Sequence, residues 1–152
     1  MDRLLYVSHC VPYPPDKGER IRAYHELRTL CRTYHVTLAC LARRREEYVL
    51  AEKLRPYCED VLIAEAGKYR GFLRGGFGVL RGRSVTEGFF YSPSLMNMVL
   101  SRGQRNAFDL VFGFSSGVLP YVLACPGRRR VMDLVDMDSI KWRSYAKQTR
   151  GP

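Results

Sequence analysis

The chain has 152 residues, 46% hydrophobic and 26% charged, a balance that suits one folded domain and excludes a wholly disordered tail. Its net charge of +10 favours anionic partners, whether phosphates, nucleic acids or acidic membrane surfaces, without choosing among them. The five cysteines, Cys10, Cys31, Cys40, Cys58 and Cys125, are odd in number, scattered and mostly set among apolar residues. That pattern argues against a disulfide framework or a zinc site and for reduced core thiols in a cytoplasmic protein.

In chain order, a first apolar run at 4–7 predicts a strand; it is too short for a signal-peptide core and meets Ser8, His9 and a proline cluster, so export is not expected. Asp16-Lys17-Gly18-Glu19 then has the form of a capping box, with Asp16 accepting from first-turn amides and Glu19 reaching back. It opens a helix predicted at 17–34, whose stripe is Ala23, Tyr24, Leu27, Leu30, Cys31 and Tyr34. A strand at 36–41 follows, then a helix at 46–57 with Val49, Leu50 and Leu54 turned inward, then a strand at 61–64. The segment 68–83 stands apart, with Lys68, Arg70, Arg74, Arg81 and Arg83, no acids, and glycines among Phe72, Leu73, Phe77, Val79 and Leu80. It reads as a flexible lobe or as one that touches an anionic membrane.

A third helix is predicted at 93–105 and a strand at 110–114. Residues 110–127 carry no formal charge, yet serines, glycines and prolines interrupt them, as in a strand, turn and helix and unlike a membrane span. A last strand is expected at 131–135, and a further helix at 138–148 carries Trp142 and Tyr145 on one side with nothing after it to bury them. The chain is therefore expected to be the front portion of a larger protein. Short apolar runs without polar alternation, separated by helices, predict an α/β fold: a Rossmann-like, mostly parallel sheet with helices on both faces. In the strand order 3-2-1-4 ligands bind beyond the carboxyl ends of the first and fourth strands, which directs attention to loops 8–18 and 115–117, with 136–138 beside them.

The first of these loops ends in Lys17-Gly18-Glu19-Arg20-Ile21-Arg22, which sets a glycine and unpaired amides at a helix N-terminus where a phosphate or sugar hydroxyl can approach. It equally reads as a tight turn with solvated basic side chains, and G-x-G-x-x-G is absent. The run from Leu5 to Arg22, with its Pro-Pro-x-Lys-Gly-x-Arg-x-Arg core, and the run Asp136-x-Asp138-Ser139-x-Lys141-Trp142 together resemble the N-terminal domain of family-four glycosyltransferases, in particular the sugar transferases of exosortase and exopolysaccharide systems. The resemblance spans essentially the whole chain, although relatives often carry a histidine where this chain has Phe114-Ser115-Ser116.

It implies the acceptor-side lobe of a retaining, metal-independent GT-B enzyme, with the nucleotide-sugar held mainly by a second lobe. The Glu-x7-Glu pair usual in that second lobe is not found, so these residues alone are expected to fold without turning over. Carried over, Lys17, Gly18, Arg20 and Arg22 would face the donor phosphate and sugar, while His9, Ser115, Ser116, Asp136 and Asp138 would line the acceptor side. The implied acceptor is a glycan or a polyprenyl-linked lipid at the cytoplasmic face of the membrane, and no cofactor or metal is implied.

Three rival readings stand beside it. Gly113-Phe114-Ser115-Ser116-Gly117 matches the G-x-S-x-G of an α/β-hydrolase serine elbow, but His9, His25 and His35 all precede Ser115, against the order that fold requires. Asp136-x-Asp138 could hold a metal, though capping of the last helix by Asp138 is the simpler reading; His25 and His35 lack a second ligand at metal-site spacing. Arg43-Arg44-Arg45, Arg128-Arg129-Arg130 and segment 68–83 suggest RNA binding. No RNA-module signature accompanies them and both triplets look like solvated connections beside strands, so no nucleic-acid partner is expected.

Overall fold

The computed structural model describes residues 1–66 and 90–135. They form an α/β Rossmann-like fold built on a five-stranded parallel sheet. The elements are β1 (Arg3–Ser8), α1 (Gly18–Leu30), β2 (His35–Ala42), α2 (Glu46–Glu52), β3 (Asp60–Glu65), α3 (Pro93–Arg105), β4 (Phe108–Phe114), a 3-10 turn (Ser116–Val118), α4 (Leu119–Ala124) and β5 (Gly127–Asp133). The strand order is β3-β2-β1-β4-β5, so the expected reversal between the first and fourth strands is present. Segment 68–83, Asp136, Asp138 and the helix predicted at 138–148 with Trp142 and Tyr145 lie outside the described residues.

Strand alternation splits the core in two. Leu5 and Val7 of β1 and Ala39 and Leu41 of β2 face one side, where they pack with Leu95 and Val99 of α3 and Tyr121 and Val122 of α4. Leu4 and Tyr6, with Val36, Leu38 and Cys40, face the other, against Ala23 and Leu27 of α1 and Ala51 of α2. The chain winds outward from β1 to β3 and then returns to β4; because crossovers are right-handed, the reversal moves the helices to the opposite face. Both faces of the sheet are thus covered, which is why its central strands read as unbroken apolar runs.

Local chemistry departs from expectation in four places. The capping box does not form: Lys17 is the N-cap, with no side-chain cap bond. Asp16 turns instead to Arg20 (3.5 Å), and Glu19 to His9 (3.2 Å), because buried or half-buried partners are available to both. α1 stops at Leu30, and a tight turn with Thr33 N–H donating to Leu30 O and Tyr34 N–H to the same carbonyl ends it before 34. In α2, Glu47 and Ala51 face inward while Val49 is 67% exposed; the helix closes at Glu52, and Leu54 reaches the core from the turn beyond. The last strand runs earlier than 131–135, so the Arg128–130 triplet is part of β5 and not a connection.

That shift has a physical reason. β5 is an edge, and three successive arginines make a poor template for pairing with another chain. Arg130 donates to the Val122 and Cys125 carbonyls (3.0 and 3.1 Å), satisfying the end of α4, and Arg128 lies 3.9 Å from Asp109. α3 matches expectation over Pro93–Arg105: Ser92 accepts from Leu95 N–H, Pro93 follows it, and Arg102 and Arg105 sit in the last turn where the helix dipole favours cations. Among the described residues no helix is long and apolar enough to cross a membrane.

Candidate functional site

The carboxyl ends of β1 and β4 are adjacent, with Ser8 paired in register with Phe114. His9 and Ser115 are therefore the first residues to leave the sheet on either side of the switch point. α1 begins beside them, after a loop whose Tyr13–Pro14 peptide is cis.

His9 is only 5% exposed. Its ring stacks on Phe114 (5.9 Å) and meets Phe90 edge-on (5.2 Å), while Nε2 pairs with Glu19 Oε2 at 3.2 Å. Among the described residues Nδ1 is buried and has no hydrogen-bonding partner. The two aromatic rings and Glu19 thus fix the imidazole in orientation. Cys10 follows it, and one ligand atom from each of His9, Cys10 and Glu19 lies within 4.8 Å of the others. Burial pushes the Cys10 thiol up to about 11, and Arg20 and Arg43 are close enough to act on it electrostatically.

At the mouth of α1 the Lys17 side chain makes no cap bond, and among the described residues a Cβ built on exposed Gly18 would meet nothing within 4 Å. No described neighbour requires a glycine there. The basic residues of this run divide. Lys17 is exposed, Arg20 is buried against Glu47 (2.6 Å) and Asp16, and Arg22 reaches the end of β5 to pair with Asp133 (2.6 Å). Both guanidinium groups are thereby committed to carboxylates of this chain, and they brace α1 against α2 and β5. Below Arg22, Tyr6 Oη donates to Glu26 Oε2 (2.7 Å), whose carboxyl is raised mainly by burial.

Ser115 has φ 82° and ψ 144°, a region that residues with a Cβ rarely occupy. It is held there from both sides, its N–H donating to Asp133 O (2.8 Å) and its carbonyl accepting from Val118 N–H (3.2 Å). Ser116 starts the 3-10 turn next to it. The glycines of Gly113-Phe114-Ser115-Ser116-Gly117 both have packing reasons: a Cβ on Gly113 would lie 2.4 Å from Met132 Sδ and one on Gly117 2.4 Å from the Phe90 ring. Strain of this kind costs roughly 1–3 kcal/mol, partly offset in the unfolded chain by a glycine's extra freedom. Ser115→Gly should therefore raise stability by about 1 kcal/mol. A urea midpoint that stays put or falls would show that the backbone there is not strained.

The structure thus gathers His9, Gly18, Ser115 and Ser116 at one end of the sheet, with Lys17 exposed at the same helix mouth, and sets Arg20 and Arg22 behind them; Asp136 and Asp138 lie outside the described residues. Sequence reasoning missed Glu19, Glu47 and Phe90 as parts of this site. Each enters through a partner at least ten residues away in the chain, and the i, i+3 spacing of Asp16 and Glu19 points to a capping role instead. Comparison of the chain with known protein families, curated proteins and solved structures gives no match.

Proposed function

We propose that this domain is the acceptor-side lobe of a retaining GT-B glycosyltransferase, transferring a sugar from a nucleotide-sugar to a glycan or polyprenyl-linked acceptor in exopolysaccharide synthesis. The observation that supports this best is the juxtaposition at the switch point of the α1 N-terminus at Gly18, where Lys17 makes no cap bond, the His9 imidazole with Nδ1 unpartnered among the described residues, and strained Ser115. The sequence resemblance from Leu5 to Arg22 ends at that same helix mouth. In this reading the donor diphosphate meets the first-turn amides and Lys17 from across the cleft, where the helix dipole stabilises the departing negative charge without a metal. His9 Nδ1 and the Ser115 and Ser116 hydroxyls orient the acceptor. Arg20 and Arg22 act from behind by fixing α1. The protein works at the cytoplasmic face of the membrane, with segment 68–83 drawing it to anionic lipid.

The test is transfer from radiolabelled nucleotide-sugars to polyprenyl-phosphate acceptors, by this chain alone and together with a donor-binding lobe. Transfer that needs both lobes and falls at least tenfold in Gly18→Ala supports the proposal. Gly18→Ala should meanwhile leave the fold intact or stabilise it by about 0.4–1 kcal/mol, since its Cβ meets open space. Turnover by residues 1–152 alone, or full activity of the alanine variant, would overturn it.

The hydrolase reading keeps one favourable observation, the positive φ of Ser115 at a strand end. The packing roles of Gly113 and Gly117 remove the need for an elbow to explain the motif. Labelling of Ser115 by a fluorophosphonate would restore it.

A further inference from the structure

Among the described residues, His9, Cys10 and Glu19 are the one group of three metal-ligating side chains gathered at a point, with one ligand atom of each within 4.8 Å of the others. They meet where β1 ends and α1 begins. His9 and Cys10 are 5% and 3% exposed, and the Phe90 and Phe114 rings hold His9, so the two inner donors are set by the packing. Glu19 stands in the first turn of α1 with its side chain 41% exposed, able to swing toward them. His9 Nε2 and Glu19 Oε2 are already 3.2 Å apart. Ligands around a tetrahedral zinc ion, with bonds of about 2.0–2.3 Å, stand about 3.3–3.7 Å from one another, so small side-chain rotations complete the set. No distant partner holds these atoms. Among the described residues Glu19 pairs with His9 alone, and the Cys10 thiol meets only the Ser8 hydroxyl, at 3.8 Å. Glu47, by contrast, is committed to Arg20 and the Arg43 N–H. A cation entering the trio therefore breaks no ion pair with another part of the protein.

We propose that His9 Nε2, Cys10 Sγ and a Glu19 carboxylate oxygen bind one divalent cation of the zinc class, tying the end of β1 to the first turn of α1. The donor set selects the metal. Imidazole and thiolate suit zinc and cobalt(II), whereas magnesium and calcium require oxygen ligands. The charge balances as well: thiolate and carboxylate bring two negative charges to two positive ones. On binding, the Cys10 S–H bond breaks, its proton passes to solvent, and the sulfur–metal bond forms as water leaves the cation. The nearby Arg20 guanidinium is already neutralised by Glu47 at 2.6 Å, and that of Arg43 lies over the Phe90 ring at 5.7 Å. Three protein ligands with water in the fourth place is the pattern of an open site and not of a closed structural one. The sequence conceals the site because it lacks paired-cysteine spacing, and Glu19 joins the other two only through the turn from β1 into α1. The inference stands apart from the proposed sugar transfer. It needs no nucleotide-sugar, and it leaves His9 Nδ1, the nitrogen assigned to the acceptor above, without a metal bond.

The experiment is titration of the full chain, reduced, stripped with EDTA and dialysed, with cobalt(II) followed by absorbance. The expected result is a thiolate-to-cobalt charge-transfer band in the near ultraviolet that saturates at one equivalent and disappears when zinc is added. Cys10→Ser should abolish the band, while the double variant Cys31→Ser, Cys58→Ser should keep it, which separates the buried thiol from the two half-buried ones. Glu19→Gln alters an exposed side chain, so it keeps the test valid where Cys10→Ser fails to fold. It should weaken cobalt binding at least tenfold with the band retained. Zinc should also raise the melting temperature of the parent by more than that of Glu19→Gln, and magnesium should raise neither, because only a ligand bound to the folded chain stabilises it. A band that survives Cys10→Ser, saturable cobalt binding without a thiolate band, an affinity unchanged in Glu19→Gln, or no cobalt binding at all would overturn the proposal.

Discussion

Replacing Glu47 with alanine should cost about 3–5 kcal/mol of folding stability, a large part of what a domain of this size holds in reserve. Glu47 is a carboxylate inside the protein: its side chain is 3% exposed and that of Arg20 9% exposed, with Oε1 to Nη2 at 2.6 Å. Its other oxygen accepts the Arg43 N–H, also at 2.6 Å. The truncation therefore strands a buried guanidinium and a backbone donor at once. Asp16 gives Arg20 a second partner, but at 3.5 Å and from a half-exposed position where solvent weakens it. Urea denaturation should show Glu47→Gln as a smaller loss, since the amide still offers one acceptor. In the double variant Arg20→Met with Glu47→Leu, most of the single-site loss should return, because neither charge is left buried. A loss below about 1 kcal/mol for Glu47→Ala would mean that water reaches the pair freely and that the rim is not braced as described.

This ion pair also shows where the sequence is legible and where it is not. The first four strands and the switch point between the first and fourth follow from apolar runs and crossover handedness, whereas the arginine-rich edge strand β5 lacks an apolar run over its first half and is read too late. The extent of α3 follows from the helical spacing of Leu95, Met98 and Val99 after Pro93. The capping box at Asp16 and Glu19 is the instructive failure, because the same two carboxylates are the right chemistry for a helix start and for an ion pair. Local spacing shows Arg20 four residues after Asp16, but not that Arg20 is buried or that His9 packs beside Glu19, which the fold decides. Arg20 and Arg22 look from sequence like free positive charge for a phosphate; their partners Glu47 and Asp133 come from α2 and β5 and are visible only in three dimensions. The G-x-S-x-G match fails as a guide for a related reason. Its glycines answer to Met132, Val122 and Phe90, side chains that no motif mentions.

Gly117→Ala carries that last point into the site. The new Cβ would stand 2.4 Å from Phe90 Cδ2, inside any tolerable contact, and Phe90 has little room to yield. Its carbonyl accepts the buried Tyr121 hydroxyl (2.8 Å), and its ring already lies edge-on to His9 and under Arg43 at 5.7 Å. Relief must come by rotating the Phe90 ring against His9 or by opening the 3-10 turn beside Ser115. Overpacking of this kind costs about 1–3 kcal/mol. If His9 and Ser115 orient the acceptor, sugar transfer should fall at least tenfold besides, through a loss in kcat and not only in acceptor binding, because an ångström of misplacement is expensive at a reacting centre. Phe90→Ala supplies the control. Combined with Gly117→Ala it should lose distinctly less stability than the two changes added together, since the clash has no second partner left. Strict additivity would place the Phe90 ring away from Gly117, and with it would go the aromatic wall that holds His9 in position.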